Sequence, residues 1–275
     1  MPQAKAASRR RPRSDLLGRV LVAVPAFVIA VVLVDVGGLT WTVAMIALGS
    51  AAMAELYRML ERWKAVPAVG FLALAGMCLA ARFGGERQVV EVALGAVPVL
   101  FLTIAFRQQT SGATIAIAGT LLGIYWIGFA FATAVLLRQL HHGNGIVIDV
   151  MVGTFLGDTG AYCGGRLFGR RPLAKEISPN KTIEGLFCGM LVAILAVFVA
   201  GLYQETWLTH GEALALGLAI AVLGPVGDLF ESLVKRDAGA KDTGKLFGAH
   251  GGALDRLDAA MFTVVAAYFI WATVH

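Results

Sequence analysis

Nine long apolar runs set what this chain can fold into: 16–36, 39–54, 66–81, 89–106, 114–137, 146–157, 183–202, 212–227 and 257–274. A helix needs roughly 20 apolar residues to cross the hydrocarbon of a bilayer. The expected fold is therefore all-α, a polytopic integral membrane protein with about nine transmembrane helices. The sixth run is short, contains glycine and is expected to end at Asp158. The first run exceeds the roughly 7–15 residues of a signal-peptide core and lacks a small-residue cleavage site, so it reads as an uncleaved span. Composition agrees: 58% of the 275 residues are hydrophobic and 15% charged, against roughly 45–50% and 25% in a soluble domain. A disordered chain and a water-soluble globule around one core are excluded. The three Cys have no paired spacing, which excludes a disulfide scaffold.

Charge placement orients the spans. With nine helices, the amino tail (with Arg19) and the loops after runs two, four, six and eight carry 20 of the 23 Lys and Arg. Arg82, Arg87 and Arg138 lie on the other side. Such asymmetry predicts a cytoplasmic amino terminus. The tail run Arg9, Arg10, Arg11 and Arg13 reads as a topology signal with attraction to anionic lipid, not as a nucleic-acid site, because no aromatic platform or reader fold accompanies it. The chain divides into a basic tail (1–14), amino-terminal helices (15–145) and a carboxy-terminal catalytic region (146–275).

Two polar blocks interrupt the apolar pattern, both on the Lys/Arg-rich side. The first runs from Gly157-Asp158-Thr159-Gly160 through Gly164-Gly165-Arg166 to Ser178-Pro-Asn-Lys181-Thr182. The second, 227–258, holds six acids and five bases. If run eight continues as a helix, Asp228, Ser232 and Lys235 share one face at i, i+4 and i+7, while Asp255 and Asp258 share a face at the start of run nine. Carboxylates at facing helix ends suit Mg²⁺, a hard cation that takes oxygen ligands and bridges to phosphate. Gly-rich backbone and bases between them suit phosphate itself. Acids for a metal beside bases for phosphate point to phosphoryl-type transfer. The stretch Gly239–Lys245 matches G-x-x-x-x-G-K, but Leu246 stands where a P-loop needs Ser or Thr, and a membrane helix precedes it, so a P-loop is rejected.

The run Ser232-x-x-Lys235-Arg236-x-x-x-x-Lys241-Asp242, followed by His250-Gly251-Gly252-x-x-Asp255-Arg256-x-Asp258, resembles the signature of the phosphatidate cytidylyltransferase family. Eleven fixed positions over 27 residues carry the likeness, which is strongest over 157–262 and includes Asp158, the Gly165-Arg166 pattern and Lys181-Thr182. Gly248-Ala249 stand where the family commonly has Pro-Gly, and Asn180 where it commonly has Lys.

The resemblance implies that CTP and phosphatidate give CDP-diacylglycerol and pyrophosphate at the membrane, in bacteria the plasma membrane. It implies Asp228, Asp255 and Asp258 as Mg²⁺ ligands and, with Lys235, as the catalytic set. It implies contacts to substrate from Asp158, Arg166, Lys181, Thr182, Ser232, Arg236, Lys241, Asp242, His250, Gly251, Gly252 and Arg256. It leaves room for a second cation and for a homodimer. Three rival readings stand beside it. A CTP-dependent lipid kinase would release CDP instead of pyrophosphate. A CDP-alcohol phosphotransferase would need a D-G-x-x-A-R motif absent here. A transporter would place its ionisable residues at the bilayer midplane.

Overall fold

The computed structural model of the chain describes residues 14–108, 110–204, 206–240, 243–244 and 252–274, with backbone alone for 14–24. Nine helices run through these residues: α1 (Ser14–Val36), α2 (Gly38–Met59), α3 (Pro67–Phe83), α4 (Glu86–Phe106), α5 (Ala113–Gln139), α6 (Gly143–Phe168), α7 (Ile183–Leu202), α8 (His210–Asp237) and α9 (Leu254–Val274). Among the described residues, seven are long and apolar enough to cross a membrane: α2 and α4 to α9. Helix α3 and the stretch Pro25–Val36 of α1 are apolar but shorter. The chain is thus an all-α polytopic membrane protein. Each expected run coincides with one helix, Val66 capping α3; α1 runs over 23 residues in all and α3 over 17.

Local chemistry sets the helix ends. Pro67 opens α3, where its missing N–H costs nothing. Thr209 and Glu212 open α8 with a reciprocal capping box: the Glu212 N–H donates to Thr209 Oγ1 at 3.3 Å, and the Thr209 N–H donates to Glu212 Oε2 at 2.7 Å. Apolar side chains such as Phe187, Leu191 and Leu195 on α7, and Leu94 and Phe101 on α4, are exposed, as a surface meeting lipid requires.

One expectation for the first polar block is corrected. The sixth run does not end at Asp158; α6 is helical through Phe168. Its glycines serve close packing against α7. A Cβ at Gly164 would stand 2.3 Å from Cys188 Cβ, and one at Gly189 would stand 2.7 Å from Ala161 Cβ and 2.8 Å from the Gly157 carbonyl. Without a hydrophobic drive between helices in lipid, such small-residue contact is what joins them. A β-hairpin that the sequence did not announce lies between α6 and α7. Strands β1 (Pro172–Ala174) and β2 (Ser178–Thr182) pair antiparallel, with Pro172 opposite Thr182 and Ala174 opposite Ser178.

One end of the bundle gathers the hairpin, the end of α2, the end of α8 and the start of α9. Arg236 Nε donates to the Ile177 carbonyl at the hairpin tip at 3.2 Å. Arg62, just past α2, donates to the Asp237 carbonyl. The opposite end carries aromatic contacts: His142 stacks on Trp207 at 4.5 Å, and Trp271 Nε1 donates to the His141 carbonyl at 2.7 Å.

Candidate active site

The site forms where α8 and α9 come closest. A Cβ at Gly227 would stand 2.5 Å from the Asp258 carbonyl oxygen, so only glycine lets the backbones meet there. This contact brings three carboxylates together. Asp228 and Glu231, three residues apart on one face of α8, meet Asp258 from α9, with one oxygen from each within 4.8 Å of the others. Glu231 and Asp258 are buried, while the Asp228 side chain is 34% exposed and so opens the cluster to one side.

Bases frame the acids. The hairpin delivers Lys181, whose ammonium pairs with Asp228. Lys235, one turn beyond Glu231, lies 2.5 Å from Glu231 Oε2 and 2.9 Å from Asp255 Oδ1. Asp158 on α6 stands within electrostatic reach of Asp228, Lys181 and Asp258. Among the described residues, no hydrogen-bond donor reaches the buried Glu231 Oε1 atom. Three carboxylates crowded at partial burial repel one another strongly, and a cation between them would relieve that repulsion. An all-oxygen donor set with an unsatisfied buried oxygen fits a hard divalent ion. Asp228, Glu231 and Asp258 are therefore a cluster that could hold a metal.

Asp255 stands beside Glu231 at the edge of the cluster, sharing Lys235 with it. Its Oδ1 takes the Lys235 ammonium, and its Oδ2 accepts the N–H groups of Gly252 (2.8 Å) and Thr243 (3.2 Å). The carboxylate thus ties the start of α9 to the segment before it. The acid that joins Asp228 and Asp258 is Glu231, which the sequence reading counted among six acids without giving it a role. Its signal was available: Asp228-x-x-Glu231 puts both on one helix face.

The other expected residues fall into groups. Thr182 caps α7, its Oγ1 accepting the Gly185 N–H at 3.1 Å. Ser232 is buried on α8, and Gly252 is buried at the Asp255 tie. Arg166 is exposed on α6, with Tyr162 Oη 3.4 Å from its Nη1. Arg236 holds the hairpin, and Arg256 is exposed on the first turn of α9. Lys241, Asp242, His250 and Gly251 lie outside the described residues. Glu184, the second residue of α7, accepts the N–H groups of Arg170 and Arg171 at 3.0 and 3.2 Å, which anchors the base of the hairpin that carries Lys181.

Comparison with known proteins covers nearly the whole chain. The model of the cytidylyltransferase family matches residues 17–274. A Bacillus subtilis (strain 168) protein named phosphatidate cytidylyltransferase is 32% identical over 269 residues, which span 94% of this chain and 98% of the relative. A protein of the same name from Staphylococcus epidermidis is 31% identical over 250 residues, 90% of this chain and 95% of the relative. Another from Staphylococcus aureus is 31% identical over 257 residues, with the same two shares.

Proposed function

The chain belongs to the cytidylyltransferase family, and we propose that it joins CTP to phosphatidate, giving CDP-diacylglycerol and pyrophosphate, at the cluster of Asp228, Glu231 and Asp258. The observation that carries this reading is the crowding of three carboxylates beside Lys181 and Lys235, in the segment that bears the family's signature. The reaction forms one P–O bond and breaks one. An oxygen of the phosphatidate phosphate attacks the α-phosphorus of CTP, and the bond from that phosphorus to the pyrophosphate oxygen breaks. The nucleophile is already an anion, so neither a strong general base nor a covalent intermediate is needed. Catalysis reduces to alignment and charge neutralisation.

Asp228, Glu231 and Asp258 would hold Mg²⁺, which when bound supplies positive charge against the phosphate oxygens. Lys181 enters from the hairpin and, released from Asp228, reaches a phosphate oxygen of either substrate. Lys235 holds Glu231 and Asp255 in register. Residues 15–145 act chiefly as the scaffold, and 146–275 carry the chemistry. The lysine and arginine asymmetry supports a site on the cytoplasmic face, where CTP is found, and the bacterial relatives support a plasma-membrane location. Phosphatidate then enters from the bilayer with its headgroup at the interface.

The test is direct. Purified protein in mixed micelles receives CTP, phosphatidate and Mg²⁺. CDP-diacylglycerol and pyrophosphate should form one for one and stop on chelation. Release of CDP with a newly phosphorylated lipid would instead identify a CTP-dependent kinase.

A further inference from the structure

The end of the bundle away from the acidic cluster holds a cavity of about 300 Å³. It lies where the start of α2, the end of α3 and the end of α5 meet, and its walls include Trp41, Arg82, Arg138 and Gln139. A second cavity of about 280 Å³ adjoins it and shares Arg82, Gln139 and Leu140. Among the described residues, no acid lines the first cavity. Two guanidinium groups facing one cavity at the edge of an apolar bundle are costly without a counter-charge.

Both groups are held at the cavity instead of swinging out to water. Arg138 donates to the Val34 carbonyl through Nε and to the Asp35 carbonyl through Nη2, the latter at 3.0 Å. Gly37 leaves room for it: a Cβ there would stand 2.6 Å from Arg138 Nη2. Arg82 Nη1 donates to Gln139 Oε1 at 3.3 Å. Gln139 is itself fixed, its Nε2 donating to the Ala81 and Val135 carbonyls at 2.7 and 3.2 Å. Arg82 Nε is buried, and no acceptor among the described residues reaches it. Nearby acids are engaged otherwise. Glu86 accepts the Tyr268 hydroxyl at 3.3 Å, and Glu91 pairs with Arg87 at 2.8 Å.

What this pair of arginines lacks is an anion. Planar guanidinium forks match the oxygens of phosphate. Lipid phosphate is the anion found at the ends of membrane spans. Exposed Leu39 and Val43 on α2, and Leu79 and Phe83 on α3, give acyl chains an apolar surface on the same helices. We propose that the cavity binds a phosphate group through Arg82 and Arg138, supplied by a phospholipid headgroup or by free phosphate. The bound group ties α3 to α5 and to the junction of α1 with α2. The inference is independent of the assigned reaction, because none of these residues belongs to the acidic cluster.

Native mass spectrometry and thermal unfolding of the full-length protein in uncharged detergent test this. The protein is titrated with phosphatidylglycerol, with diacylglycerol of the same acyl chains, and with inorganic phosphate. Phosphatidylglycerol or inorganic phosphate should bind saturably and raise the thermal midpoint, and diacylglycerol should do neither. Saturation by the lipid alone identifies a headgroup site, and saturation by phosphate identifies a site for the free anion. Arg82→Gln should weaken binding by about tenfold or more, the scale of one lost charge-assisted hydrogen bond. Arg87→Gln removes an exposed charge at the same end, outside both cavities, and should leave binding within about twofold, as expected of a screened surface charge.

An Arg82→Gln protein that binds as tightly as the wild type overturns the proposal. So does an equal loss in Arg87→Gln, which would reduce the effect to surface charge. Diacylglycerol that binds as well as phosphatidylglycerol, with phosphate inert, also overturns it and makes the cavity an acyl-chain pocket. If Arg82→Gln loses its thermal transition, Arg82→Lys decides in its place. It keeps the charge without the planar fork, so binding should fall by about threefold or more, and unmoved binding overturns the proposal.

Discussion

The seam between α6 and α7 and the seam between α8 and α9 both bring helices together at glycine, to opposite ends. In the first, Gly157 and Gly164 meet Ala193 and Cys188, and the return is close van der Waals contact. In the second, Gly227 meets the backbone of Asp258, and the return is a set of carboxylates that would repel one another without a cation. Close approach in one place builds the bundle. In the other it builds a charged site that is stable only with its partners.

The largest effect should come from the charged seam. Asp258→Asn and Glu231→Gln should each lower turnover by about 10²–10³-fold, the scale for removing one preorganised electrostatic element. Both should also raise the Mg²⁺ concentration for half-maximal activity. Asp255→Asn should lower turnover with that concentration unchanged, because its carboxylate is bound to Lys235 and two backbone N–H groups. Titration of activity against Mg²⁺ separates the two patterns. If Asp255→Asn shifts the metal dependence and Glu231→Gln does not, the cation belongs to Asp228, Asp255 and Asp258, as the family resemblance implies.

The apolar seam should respond in stability, not chemistry. Gly164→Ala forces a Cβ to within 2.3 Å of Cys188 Cβ, and overpacking of this kind costs about 1–3 kcal/mol. The thermal midpoint should fall while the KM for CTP stays put, and Cys188→Gly on the same chain should restore the midpoint. A change in KM without a change in midpoint would mean that this seam also shapes the substrate site.

The contrast also explains what could be read in advance. The apolar runs announced the helices because lipid imposes a length and an apolar composition on every span. The cluster was half legible: Asp258 lies near the start of α9 within a recognisable signature and Asp228 just ahead of that signature on α8, whereas Glu231 and Asp255 differ only in where their helices turn them. Glu55, buried on α2, could not be placed from spacing, since its partners Thr243 and Leu254 lie some 190 residues on and only the packing of α2 against the start of α9 joins them. The glycines of the first polar block do not declare their role in the sequence. Glycine beside charge suits a phosphate loop and a tight helix seam equally well, and the partner helix decides between them.

Thr182 sits where the two seams join and gives the smallest test. Its hydroxyl caps α7 and its strand carries Lys181 to Asp228. Thr182→Ala should cost about 0.5–2 kcal/mol, the usual loss for a missing N-cap. Because the cap lies next to Lys181 in sequence, turnover should fall a few-fold with that stability, while both KM values hold. Thr182→Ser should restore the midpoint and the turnover together. Thermal unfolding paired with substrate titration reads both quantities from one preparation. If Thr182→Ala instead raises a KM at an unchanged midpoint, its hydroxyl contacts substrate, and the first polar block belongs to the site as much as to the seam.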